Sequence, residues 1–255
     1  MSGRFFLAPL IFACPTRHGM VLLDVRRNRY LGLGIGESQT LFRNVDGLPS
    51  PSLRMDVAAI VTSDISAAAR ASTTTISAEG GLLGSLLREG IITTEAPRSA
   101  EIVSAAITLH GPLMSIGDEM TKPSRARIHH VTAFLVYLIY SAVSLRYLPL
   151  RFVVRHVYRR RAAAIANGYT FDLSKVSELI DIFRSIRPYF FIARNNCLLH
   201  ALTLVNFLAH YGEFPVWVFG VTADPWTAHS WVQHDRFLLD CNPEKVCNLE
   251  PILGV

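Results

Sequence analysis

The chain is short of what a metal centre or a disulfide framework requires. It has four cysteines in 255 residues, Cys14, Cys197, Cys241 and Cys247. None forms a CxxC pair or adjoins a histidine pair, which argues against a zinc site. No metal and no cofactor are expected. Long apolar runs are missing too. The run Val131 to Leu145 is uncharged and apolar over fifteen residues, whereas a spanning helix needs about twenty. Tyr137, Tyr140 and the hydroxyl-bearing residues along it would lack partners in lipid, so a buried helix is expected rather than a membrane span. The N-terminus, MSGRFFLAPLIFACP, has one arginine and a brief apolar run, a poor secretory signal. It reads as the first strand of a cytoplasmic protein. Half of the residues are apolar, which excludes wholesale disorder and leaves room for one large domain or two small ones.

Charge of one sign is unevenly supplied. The net charge is +5. Residues 1–97 carry nine Lys/Arg against eight Asp/Glu, residues 98–161 ten against three, and residues 162–255 six against nine. A basic middle segment suits anionic lipid, nucleic acid or an acidic partner. A solvated helical face is the plainer reading, and no nucleic-acid partner is expected.

Leu7 to Phe12 and Met20 to Val25 are runs of strand length, separated by the turn-rich CPTRHG. Arg26-Arg27-Asn28 then joins VLLDV to RYLGL as a hairpin. ESQTLFRNV reads as a short helix with Leu41 and Phe42 inward, and a second helix is plausible over Asp56 to Ile60. Glu79 to Glu89 carries a stripe of Leu82, Leu83, Leu86 and Leu87, stopped by Gly90 and followed by a strand over Ile91 to Thr94. Pro97 marks the break between two modules. Beyond it, helices are expected over Ala100 to Met114, Val131 to Leu145, Leu148 to Arg161 and Asp172 to Ile186.

The most informative stretch runs from Asn195 to Asp240. Cys197 follows two asparagines, either able to cap a helix. Leu198, Ala201, Leu202, Val205 and Leu208 or Ala209 then recur at helical spacing with one buried face. Cys197 therefore opens a helix, where unpaired N–H groups and the macrodipole favour negative charge. Val216, Val218 and Val221 mark a strand. Ser230 to Gln233 and Phe237 to Leu239 form a strand pair around a His-Asp turn. A thiol, His229 on a strand and Asp240 at the end of the next fit a nucleophile, a base and a carboxylate that fixes the imidazole tautomer. Trp226 and Trp231 flank His229 as candidate cleft walls. His200 and His210, on the cysteine helix, read as surface or core residues.

The run GVTADPWTAHSWVQ, the cysteine one strand upstream and the terminal PILGV resemble the lasso-peptide biosynthesis B proteins. These are leader peptidases of the transglutaminase-like, papain-related cysteine protease group. The matching positions are Cys197, Leu198, Leu202, Gly220, Val221, Pro225, Ala228, His229, Trp231 and Val232. The family closes its last strand with Asn-Asp where this chain has Asp240-Cys241, so Asp240 stands one position from that register. The resemblance implies an α+β chain: a winged-helix-like leader-recognition domain over residues 1–97, then a papain/transglutaminase-like protease domain over residues 98–255. It implies a precursor leader held as an added strand between Tyr30, Leu31 and Leu33 and the helix bearing Leu83 and Leu87. It also implies an asparagine-synthetase-like macrocyclase as partner, closing a ring on the freed amine. Two alternatives remain open on the sequence. One is an acyl transferase or amidase on the same Cys-His-Asp core. The other is a leader-binding chaperone with a decayed site.

Overall fold

A computed structural model describes residues 5–49, 75–96, 113–116, 126–190 and 196–255. Contacts divide the chain into two units. The first is Met1–Glu101 with Thr222–Thr227, and the second is Ile102–Val221 with Ala228–Val255. The expected boundary at Pro97, the helix over Asp56 to Ile60 and Asn195 lie outside the described residues. Of the helix expected over Ala100 to Met114 only the last two residues are described, and Met114 opens a strand.

In the first unit β2 (Ile11–Thr16), β3 (Gly19–Asp24) and β4 (Arg29–Leu33) form an antiparallel meander in that order. The VLLDV–RYLGL hairpin pairs Met20 with Leu33 and Asp24 with Arg29. The single strand expected over Leu7 to Phe12 is broken instead. Leu10 adopts φ +64, which separates β1 (Phe5–Leu7) from β2 and sends β1 into a second sheet. There it lies between β5 (Val45–Asp46) and β6 (Ile92–Thr93). The CPTRHG turn is also shorter than expected, because Cys14 to Thr16 remain in the strand. Helices α1 (Ile35–Asn44) and α2 (Thr75–Arg88) supply the remaining core. Leu41 and Leu86 join Met20, Leu22, Ile91 and Ile92 in it, and Leu82 and Leu83 pack against it half-buried.

The hairpin is tied to α2 by charge. Asp24 is buried and accepts hydrogen bonds from the Arg26 and Arg27 backbone N–H groups and from Arg26 Nε. Burial alone would raise its carboxyl pKa; the Arg26 hydrogen bond and charge outweigh that and hold it below the usual range. Arg26 Nη2 donates to Gly90 O at 2.8 Å and Arg27 Nη1 to Glu89 O at 2.7 Å. The arginines thus satisfy carbonyls that the end of α2 leaves without helical partners.

The second unit pairs helices with one mixed sheet. The helices are α3 (Ile128–Tyr147), α4 (Leu150–Ala166), α5 (Leu173–Ile186) and α6 (Cys197–His210). The sheet runs β11-β8-β9-β10-β7, from β11 (Glu250–Gly254) through β8 (Val216–Ala223), β9 (Trp226–His234) and β10 (Phe237–Leu239) to β7 (Met114–Ile116). A short helix, α7 (Pro243–Val246), precedes β11. Only β10–β7 is parallel among these pairs.

Two helices differ from expectation. α6 is buried at every position from Ala201 to Leu208, not on one face, because α3 and α5 both pack on it. Its polar Asn206 is satisfied inside: Nδ2 donates to Ser141 Oγ on α3 at 3.2 Å, and Oδ1 accepts from Arg160 on α4 at 3.1 Å. α3, expected buried, buries only a narrow face of Ala133, Phe134, Ser141 and Ser144. Its apolar composition serves two sides at once.

Behind the site, Gly220 of β8 lets the Trp231 ring lie flat against the backbone. A Cβ there would stand 2.5 Å from that ring. Gly220→Ala is expected to lower stability by about 1–3 kcal/mol, read as a fall in the urea midpoint; an unchanged midpoint would contradict this packing.

Candidate active site

Cys197 is the first residue of α6, with Asn196 at the N-cap. The Asn196 side chain makes no capping hydrogen bond and lines the cavity that Cys197 borders. That cavity, about 600 Å³, is of the size that takes a peptide segment or small ligand. Cys197, His200, His229, Trp231, Asp240 and Cys241 all line it. The structure thus gathers the thiol, the strand histidine and the carboxylate expected from the sequence around one space, with Trp231 as part of its wall. Trp226 is not brought there. It is 51% exposed at the start of β9 and does not line the cavity.

The partners within the cavity differ from those expected. The carboxylate expected to fix the His229 tautomer does not lie across from it. β9 and β10 pair Phe237 with His234 and Leu239 with Val232, and that register carried onward would set Asn242, not Asp240, opposite His229. The pairing stops at Leu239. Asp240 then adopts φ +56, a left-handed turn that swings its carboxylate to the helices. Arg184 Nε donates to Asp240 Oδ1 at 2.6 Å, Arg187 Nη1 to Oδ2 at 2.6 Å, and His200 Nε2 lies 3.0 Å from Oδ2. No hydrogen bond joins Asp240 to His229. The group at His229 is Cys241, whose Sγ is 4.0 Å from His229 Nε2.

Burial sets the protonation states. Burial, with the Lys245 and His200 charges, pushes His229 below the ordinary histidine value of 6.5, so its imidazole is neutral at neutral pH. Burial, together with the nearby Asp240 and Cys197, pushes the Cys241 thiol up to about 11 against the pull of Lys245. Burial would also raise Asp240, but the His200 hydrogen bond and the His200, Arg187 and Arg184 charges hold it below the usual carboxylate range. The cavity therefore holds a neutral base, one thiol kept protonated, and an ionised carboxylate locked to cations. Trp231 lies nearly parallel to the His229 ring, with centroids 6.2 Å apart and planes inclined by 18°, and its Nε1 is occupied by Gln233 Oε1 at 2.9 Å.

Sequence reasoning missed His200, Arg184, Arg187, Lys245 and Cys241. Three of these had a spacing signal. His200 is one turn from Cys197 on the same helix face, and Arg184 and Arg187 are likewise three apart. Cys241 had none beyond its place beside Asp240. The expected leader-contacting residues fall in the first unit. β4 is the edge of its sheet, where Tyr30 and Leu31 are half-buried and Leu33 is buried. On α2, Leu83 is half-buried and Leu87 is 42% exposed. Among the described residues no cluster of three or more His, Cys, Asp or Glu side chains is fit to hold a metal ion.

Residues 135–253, a little under half of the chain, match the model of the transglutaminase-like superfamily, so this stretch is similar to transglutaminase-like domains, a type whose members are typically Cys-His-Asp cysteine enzymes. The match spans Cys197, His229, Asp240 and Cys241. No curated protein and no solved structure matches the chain.

The lowered pKa of His229 fixes the sign of a pH effect. The unfolded state takes up a proton near pH 6.5 and the folded state only below it, so stability falls as pH drops through 6.5. The acid limb of the pH–rate profile is expected below pH 6.5. A limb above 6.5 would contradict the burial of a neutral His229.

Proposed function

We propose that the chain is a cysteine peptidase that removes the leader from a lasso-peptide precursor. The observation that carries this reading is Cys197 at the start of α6, bordering the same cavity as the half-buried, neutral His229, both within the stretch that matches the transglutaminase-like superfamily model. His229 takes the Cys197 proton, and the thiolate attacks the carbonyl at the leader–core junction. The developing oxyanion meets the Cys197 backbone N–H, one of the donors that a helix start leaves without an intrahelical acceptor, and the Asn196 side chain is a second donor within the cavity. The tetrahedral intermediate collapses to a thioester with the leader. His229 protonates the departing core amine, and water, deprotonated by His229, releases the leader acid and regenerates Cys197. The freed α-amine is the nucleophile that an asparagine-synthetase-like macrocyclase consumes. The first unit supplies recognition, adding the leader as a strand on the β4 edge beside α2.

The pair Cys197–His229 works here without Asp240 on the imidazole. His229 Nε2 is turned to Cys241, which leaves Nδ1 for the Cys197 proton. Cys241 stays protonated at neutral pH and does not compete as a nucleophile. Asp240 anchors α5 and α6 to the end of β10. A transferase reading stays distinct at one step only, the attack on the thioester. Added primary amine would appear in the leader product of a transferase, while a peptidase releases the free acid.

Variants of the two cysteines test this reading with a lasso-peptide precursor as substrate. Cys197→Ala is expected to cut it more than about a thousandfold more slowly while still binding the leader; cleavage near the native rate would remove the nucleophile assignment. Cys241→Ala is expected to stay within about threefold of native, and Cys241→Asp to be faster by about tenfold, because a carboxylate there would orient His229. A thousandfold loss in Cys241→Ala would instead make Cys241 part of the machinery.

A further inference from the structure

Among the described residues, the outer face of α3 is left exposed. Val136, Ile139, Tyr140, Val143 and Tyr147 follow one another at intervals of three, one, three and four, so they form one stripe. All five are exposed, from 42% at Tyr140 to 76% at Tyr147. Leu148 and Phe152 extend the stripe into α4, both close to half exposed. Soluble surfaces seldom leave this many large apolar side chains in one strip. The guanidinium of Arg151 lies 4.8 Å over the Phe152 ring, which holds that ring beside a cation.

Charge identifies what fits this strip. Between Glu119 and Asp172 the sequence has no acidic residue, while it has nine Lys or Arg. Of these, Arg160 turns inward to Asn206, while Arg146 and Arg159 remain exposed at the surface. An apolar stripe on a segment with cations and no carboxylate of its own is the pattern of a helix lying in the headgroup layer of an anionic bilayer. Tyr140 and Tyr147 suit the headgroup level, where an aromatic ring sits in the acyl boundary and its hydroxyl in water.

α3 is long and apolar enough to cross a membrane by length and composition, yet its inner face opposes that. Phe134 is fully buried against Phe183, their centroids 5.1 Å apart, and Ser141 Oγ accepts from Asn206 on α6. A spanning α3 would tear this face from α5 and α6. We infer that α3 and the start of α4 dock the intact protein onto an anionic membrane surface, the stripe immersed and the arginines on the headgroups.

Flotation of the full chain with vesicles tests this, comparing phosphatidylcholine alone with phosphatidylcholine carrying one part in four phosphatidylglycerol. The bound fraction is expected to be at least tenfold higher on the anionic vesicles at low salt and to fall in high salt. Ile139→Asp with Val143→Asp is expected to abolish it. Labelling of Cys197 by iodoacetamide should be unchanged, which shows that the variant is folded. A milder pair, Ile139→Ser with Val143→Ser, should reduce binding several-fold if the aspartates prevent folding. No association with anionic vesicles, or association that the folded variants retain, would overturn the inference. So would a dimer in solution that these substitutions dissolve while vesicles capture nothing, since the occupant would then be a second copy.

Discussion

The candidate site depends on how one short strand ends. A non-glycine residue at φ +56 is costly, by about 1 kcal/mol or more, and Asp240 is held there by Arg184 of α5, Arg187 just past its end and His200 of α6. That single kink fixes both neighbours of the cavity. It carries the carboxylate away from His229 and into the arginines, and it leaves the next side chain, Cys241, at His229 Nε2. Had β10 run on in register, the same sequence would have offered His229 a different partner. The chemistry open to the cavity is therefore set by backbone conformation as much as by residue type.

This explains what could be read from the sequence and what could not. The β9–β10 hairpin was legible because two strand-forming runs, Ser230 to Gln233 and Phe237 to Leu239, flank a His-Asp turn, and the observed pairs keep the turn there. Cys197 at a helix start was legible because the buried period begins directly after it. The partner of His229 was not, since no local pattern signals that a strand will stop at Leu239 and turn left-handed. The burial of α3 misled for a similar reason. Fifteen uncharged residues look alike whether they face a core or a bilayer, and only packing against α6 separates the two faces. In the first unit the hairpin was plain, but the break at Leu10 was hidden inside an apolar run.

The two units show one device at two scales. In the first, Asp24 gathers arginines that also close the end of α2; in the second, Asp240 gathers arginines and a histidine that bind α5 and α6 to the sheet. Each is a buried carboxylate whose ionised form is retained by cations, and each converts a strand end into a fixed point. Such clusters tolerate loss of a partner poorly, because the remaining charge is left without compensation. On the reading proposed for the chain, the first fixed point shapes the edge that receives a leader and the second shapes the cavity that cuts it.

The account rests on a thioester at Cys197, and trapping it is the most direct measurement. Protein mixed with precursor, quenched in acid within the first turnover and digested, should yield a peptide containing Cys197 that is heavier by the mass of the acylating leader, and none in His229→Ala. The same adduct on Cys241, or turnover with no adduct on either sulfur, would contradict it.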